Sequence, residues 1–133
     1  METIQIRESA ENYLETILVL QKRHGHVRSI DIANELSFSK PSVSVAMKNL
    51  RLNGLIEIDE DGIITLQEAG RVIAERIYER HTLLTQWLEH LGVRPEIAAE
   101  DACRMEHVIS AETFAALKAH AAMQGRSAAE EGT

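Results

Sequence analysis

Cys103, Glu106 and His107 stand at i, i+3 and i+4. On a helix that spacing turns all three side chains toward one face. A thiolate, a carboxylate and an imidazole within one turn offer three donors to a transition-metal ion. The face they share is read as separate from an apolar stripe of Ala98, Ala102, Met105 and Ile109. His81 falls one turn after Ile77 and three residues before Leu84, on the apolar stripe of another helix. A histidine there is either a hydrogen-bonded core residue or a further donor. Asn12 and Glu15, three apart on the polar side of the first helix, are either solvated or oxygen donors. Spacing alone does not bring these three helices together. His24, His26, His90 and His120 are assigned no role.

A second chemistry is the recognition of a polyanion. Gln21 to Asn53 holds six basic residues and two acidic ones, net +4 in a chain of −7. The rest of the chain is therefore about −11, and the asymmetry marks one segment as facing negative charge. Within it, Val43, Ala46, Met47 and Leu50 form one side of a helix, and Pro41, Val45 and Lys48 the other. A helix that reads base edges needs small residues at its start, hydroxyls and cations for phosphates, and apolar contact for thymine methyls. Ser39, Lys40, Pro41, Ser42, Ser44 and Val45 supply that mix, with Arg28 and Lys48 as phosphate contacts. The competing reading is a plain solvated helix face.

The elements that must position these residues can be read from periodicity. Ala10, Tyr13, Leu14, Ile17 and Leu20 recur at helical spacing, so residues 5–24 are read as a helix, stopped by His24-Gly25-His26. Ser29 is placed as the cap of a short helix, Ile30–Leu36, and Ser39 as the cap of the next, which Gly54 ends. Leu55–Ile58 and Ile63–Leu66 flank Asp59-Glu60-Asp61-Gly62, a hairpin signal. The acidic tip predicts a wing held off phosphates. A long helix, Gln67–Leu91, follows, striped by Ile73, Ile77, Leu84, Leu88 and Leu91. Pro95 opens another helix to about Ile109, and Ser110 caps a last one to about Met123. The fold is therefore expected to be mostly α: a winged helix-turn-helix over 1–72, metal-binding and dimerisation helices over 73–123, and a flexible tail over 124–133.

Composition bounds the class. The chain has 133 residues, 44% apolar and 4% aromatic, with two Pro and seven Gly, enough for a buried and mainly helical core. No apolar run approaches the length of a membrane span. Met1 leads into a polar, charged stretch, so no secretory signal is expected. One Cys makes no internal disulfide, and a reducing cytoplasm is the expected location.

The chain also resembles the diphtheria toxin repressor and manganese transport regulator family of metal-dependent repressors. The resemblance covers nearly all of residues 8–123. It rests on Glu100-Asp101-Ala102-Cys103-Arg104-Met105-Glu106-His107-Val108-Ile109-Ser110, on Arg80-His81-Thr82-Leu83-Leu84, on Asn12-Tyr13-Leu14-Glu15 and on Ser39-Lys40-Pro41-Ser42-Val43-Ser44. It implies a homodimer with two winged helices, gripping a palindromic operator on double-stranded DNA. It implies a divalent metal, one or two per subunit, on Asn12, Glu15, His81, Cys103, Glu106 and His107. Binding would fix the spacing of the reading heads, which couples metal to DNA affinity. The pattern departs from the family in places. Asn12 stands where relatives have Asp or Met, and Cys103 matches iron-type members while Glu15 and His81 match manganese-type ones. Thr85 and Ala99 replace the carboxylate and His of an ancillary site. With Thr133 as the last residue, the SH3-like domain of longer members is not expected. A thiolate favours borderline ions, so Fe(II) is the expected effector, with Mn(II) or Zn(II) as alternatives.

Other functions have distinct signatures. A redox or ligand sensor using Cys103 without metal would be indifferent to chelation and sensitive to oxidation. A metal-dependent hydrolase would need a base and a substrate loop, and the sequence offers neither a Gly-rich phosphate loop nor a nucleophile elbow. The chain is therefore not expected to be an enzyme. A dimerising adaptor would leave the +4 segment without purpose.

Overall fold

The computed structural model describes the backbone of residues 2–131 and the side chains of residues 8–123. The order is α1 (Glu2–His24), α2 (Ser29–Leu36), α3 (Lys40–Leu52), β1 (Ile56–Ile58), β2 (Ile64–Leu66), α4 (Glu68–His90), α5 (Pro95–Met105) and α6 (Ala111–Glu131). The chain forms two compact units, Met1–Tyr78 and Glu79–Thr133. The sequence reading puts the boundary at 72/73, just past the hairpin. The compact units part inside α4, where Ile73, Ala74 and Tyr78 still pack on the core of the first unit.

The first unit is a winged helix. Its core joins Leu14, Ile17 and Leu20 of α1 to Ile32 of α2, to Val43, Met47 and Leu50 of α3, and to Ile56, Ile64 and Leu66 of the hairpin. The α1 and α3 members are the positions the periodicity turns inward. α2 begins one residue earlier than expected. Ser29 is already helical, and the cap is the Asp31 carboxylate, which accepts the Arg28 N–H at 2.9 Å. Ser39 caps α3 as expected, accepting the Ser42 N–H. α3 closes in a Schellman motif: Leu55 N–H bonds Leu50 O, Gly54 N–H bonds Arg51 O, and Gly54 takes φ +73°. β1 and β2 pair antiparallel with Ile56 opposite Leu66. Ile64 N–H also bonds Val27 O at 2.7 Å, so the chain before α2 lies against the wing.

Gly70 sets how closely α4 approaches the wing. A Cβ there would lie 2.1 Å from the Leu55 carbonyl oxygen, so only glycine admits that approach. An ion pair from Arg76 to Glu11 (3.1 Å) ties the start of α4 to α1.

In the second unit, Leu84 of α4 and Ala98 and Ala102 of α5 are buried. α4 ends in another Schellman motif at Gly92. Leu91, read as the end of the apolar stripe, is 61% exposed, because it stands beyond the last helical turn. α5 stops at Met105 rather than near Ile109. Arg80 of α4 draws the carbonyls of Glu106 and Ile109 to itself, at 3.1 and 3.0 Å, away from helical pairing. Ser110 caps α6, accepting the Thr113 N–H. The backbone stays helical to Glu131, past the expected end near Met123, across a segment rich in Ala and Glu. The last two residues of the expected tail lie outside the described residues.

Candidate metal centre and recognition helix

Within the second unit, α4 and the turn after α5 bring His81, Glu106 and His107 together. His81 Nδ1 is 2.8 Å from Glu106 Oε2, and His107 Nε2 is 3.4 Å from Glu106 Oε1. Glu106 is fully buried. The sequence reading put it on a face apart from the apolar stripe. It instead continues that stripe, because Ala98, Ala102 and Glu106 are four residues apart, about one turn each. Cys103, one turn earlier on α5, is exposed. The shared face therefore turns two of its three residues inward and Cys103 outward.

A carboxylate removed from water needs a compensating charge or a full set of hydrogen bonds. Among the described residues, Glu106 Oε1 has no hydrogen-bond partner. Two imidazoles beside an under-satisfied buried carboxylate fit a divalent cation. The set offers oxygen and nitrogen donors, which suit Mn(II), Fe(II), Co(II) and Zn(II) alike. In the first unit, Asn12 is half-buried and Glu15 buried, at 8% exposure, although both were read as lying on a polar face. A buried acid is the less common outcome for such a position.

Sequence reasoning passed over Arg80. Besides its two carbonyl contacts, its guanidinium lies over the Phe114 ring, 5.2 Å from the centroid. An arginine next to a ligand-type histidine, on a helix otherwise striped with apolar residues, was the available signal.

The recognition helix α3 presents its start to solvent. Ser39, Lys40, Pro41, Ser42, Ser44, Val45 and Lys48 are all exposed, while Val43 and Met47 point into the core. Ser39 Oγ also donates to Ser42 Oγ at 2.8 Å, which fixes both hydroxyls at the helix N-terminus. Val45, 60% exposed, is an apolar side chain on the open face. Among the described residues, neither Lys40 nor Lys48 is in an ion pair, so both charges are available to phosphates. Tyr13 packs edge-on against Phe38 just before this helix, and burial raises its phenol above the ordinary value. Arg28 is exposed, but its Nε donates to Asp61 O at 3.1 Å. It therefore holds the acidic wing tip, where Asp59 Oδ1 accepts the N–H groups of Asp61 and Ile63.

Known proteins show where these features recur. Residues 5–64 match the family described as iron dependent repressor, N-terminal DNA binding domain. Residues 67–123 match iron dependent repressor, metal binding and dimerisation domain. The transcriptional regulator MntR of Escherichia coli O6:H1 is 38% identical over 112 residues, 84% of this chain and 72% of that protein. Among solved structures, a manganese-dependent transcriptional repressor complex with manganese is 28% identical with a TM-score of 0.76, covering 84% of this chain and 51% of its own. The manganese regulator SloR is 29% identical with a TM-score of 0.73, covering 84% of this chain and 52% of its own. The chain spans about half the length of these solved proteins.

Proposed function

From the premise that this chain belongs to the iron-dependent repressor family, of the diphtheria toxin repressor and manganese transport regulator type, we propose that it is a metal-activated transcriptional repressor whose effector in the cell is Mn(II). It binds double-stranded DNA as a homodimer, on a palindromic operator controlling metal uptake, in the cytoplasm. The observation that carries the metal reading is Glu106: fully buried, each carboxylate oxygen facing an imidazole nitrogen, and Oε1 without a hydrogen bond among the described residues.

His81, Glu106 and His107 would hold the ion. Asn12, Glu15 and Cys103 are carried as further donors on the sequence resemblance. The ion would supply the positive charge that the buried carboxylate lacks. His81 and His107 must be neutral at the ligating nitrogen, so binding competes with protons. The choice of Mn(II) departs from the Fe(II) expected on Cys103. The thiol is exposed while the interior donors are carboxylate and imidazole, and similar proteins are named for manganese. One of them is named a manganese-dependent transcriptional repressor, which disfavours a metal-free Cys103 sensor.

On the DNA side, Ser39, Lys40, Pro41, Ser42, Ser44 and Val45 would meet the major groove, with Lys48 on the backbone. Arg28 would act there through the wing it holds. The test is anaerobic fluorescence anisotropy on the protein's own promoter DNA, with EDTA, Mn(II), Fe(II) and Zn(II) in turn. Binding that depends on metal, ranked with Mn(II) effective at the lowest free concentration, is expected. It should vanish in His107→Ala with the dimer intact and weaken in Glu15→Ala. Equal binding in EDTA sinks the metal switch.

A further inference from the structure

We propose that Arg80 is the positioning residue of this metal centre, holding the turn that carries Glu106 and His107 in register with His81. The proposal rests on the metal reading above. α5 ends at Met105, so Glu106 and His107 sit just past a helix terminus, where backbones fray. Three main-chain bonds hold that turn, and all lead back to α5: Glu106 N–H to Ala102 O (2.9 Å), Val108 N–H to Met105 O (3.1 Å) and Ile109 N–H to Met105 O (3.2 Å). None of them fixes the turn against α4, where His81 stands. Two contacts do. One is the His81–Glu106 side-chain pair itself, the pair of atoms that a bound cation would claim. The other is Arg80, adjacent to His81, whose Nη1 donates to the Glu106 and Ile109 carbonyls.

The arginine's bonds go to main chain, so they persist whatever occupies the side chains. A guanidinium also neutralises the partial negative charge at the end of α5. The Phe114 ring of α6 lies under it and limits where it can swing. Arg80 thus grips residue 106 by its backbone while His81 faces the same residue's carboxylate. Second-layer contacts of this kind orient ligands and typically change metal affinity about 10- to 100-fold when removed.

The experiment compares the full-length protein with Arg80→Met, Arg80→Lys and His107→Ala. Mn(II) affinity is read by the loss of free-ion EPR signal, and donor geometry by the visible absorption of bound Co(II). Arg80→Met should bind Mn(II) at least about tenfold more weakly, with altered Co(II) bands. Arg80→Lys, whose ammonium can donate to both carbonyls, should recover most of the affinity and the bands. Wild-type affinity and bands in Arg80→Met overturn the proposal. So does a lowered melting temperature whose folded fraction keeps the wild-type bands. If Arg80→Met does not fold, Arg80→Gln, neutral and shorter, takes its place with the same reading. Loss in His107→Ala without loss at position 80 rejects only this inference. A wild type that binds neither ion rejects the metal reading and this inference together.

Discussion

Replacing Glu106 by Gln should raise stability without metal and abolish the stability gained on adding it. Gln keeps the shape of the side chain and removes its charge. The carboxylate is fully buried, and Oε1 has no hydrogen bond among the described residues, only His107 Nε2 at 3.4 Å. An unsatisfied buried polar group costs about 1–3 kcal/mol, more when charged. Glu106→Gln relieves the charged part of that cost, and its amide can still pair with His81 Nδ1, which donates or accepts according to tautomer. The metal-free variant should therefore be more stable by about 1–3 kcal/mol, a rise of several degrees in melting temperature. In the wild type, Mn(II) at a hundred times its dissociation constant should add about 2.7 kcal/mol, and the variant should gain almost none. The assay is calorimetry of both proteins in EDTA and in Mn(II), with the dimer verified by light scattering. A Glu106→Gln protein that melts lower than wild type in EDTA would refute the reasoning. It would mean that the carboxylate is satisfied within the protein and is not held for a cation.

Further outcomes are open to measurement. Gly70→Ala should destabilise the winged helix by about 1–2 kcal/mol, because overpacking against the Leu55 carbonyl outweighs a helix-propensity gain near 1 kcal/mol; a urea midpoint at or above wild type would contradict this. Lys48→Ala should weaken DNA binding on all sequences alike and flatten the dependence of log K on log salt by about 0.9, and an unchanged slope removes Lys48 from the phosphate contacts. Cys103→Glu should strengthen the response to Mn(II) relative to Zn(II), since a hard oxygen replaces sulfur. If the ranking of metals holds still, position 103 does not set selectivity.

The winged helix was legible because its signals are local. Ser39 before Pro41, Gly54 after Leu52, and an acidic tip ending in Gly62 each dictate a cap or a turn through their own chemistry. The candidate metal residues were picked out by type and spacing, but their burial was not legible. Glu15 and Glu106 both read as polar-face residues, and whether a helix face is covered depends on elements distant in sequence. For Glu106 the clue lay in the four-residue spacing from Ala98 and Ala102, which places a carboxylate on an apolar stripe. The end of α5 was misplaced because the carbonyls of Glu106 and Ile109, just past it, pair with Arg80, some 25 residues earlier, a competition that no local propensity records. Gly70 carried no signal either. A glycine inside a helical pattern states that something comes close, but not what.

The second unit has a thin interior. Among its described residues, Leu84, Ala98 and Ala102 are the apolar side chains buried outright, while Leu91, Val108 and Met123 are 61%, 69% and 66% exposed. Chains below roughly 70–80 residues seldom draw more than about 3–5 kcal/mol from one core. For the proposed homodimer this would make folding and self-association one equilibrium, governed by mass action. The number of copies in the cell would then help decide whether the second unit exists as a folded object. Scarcity of the protein and scarcity of its metal would pull that equilibrium the same way. Synthesis rate is therefore an input to the switch alongside the ion.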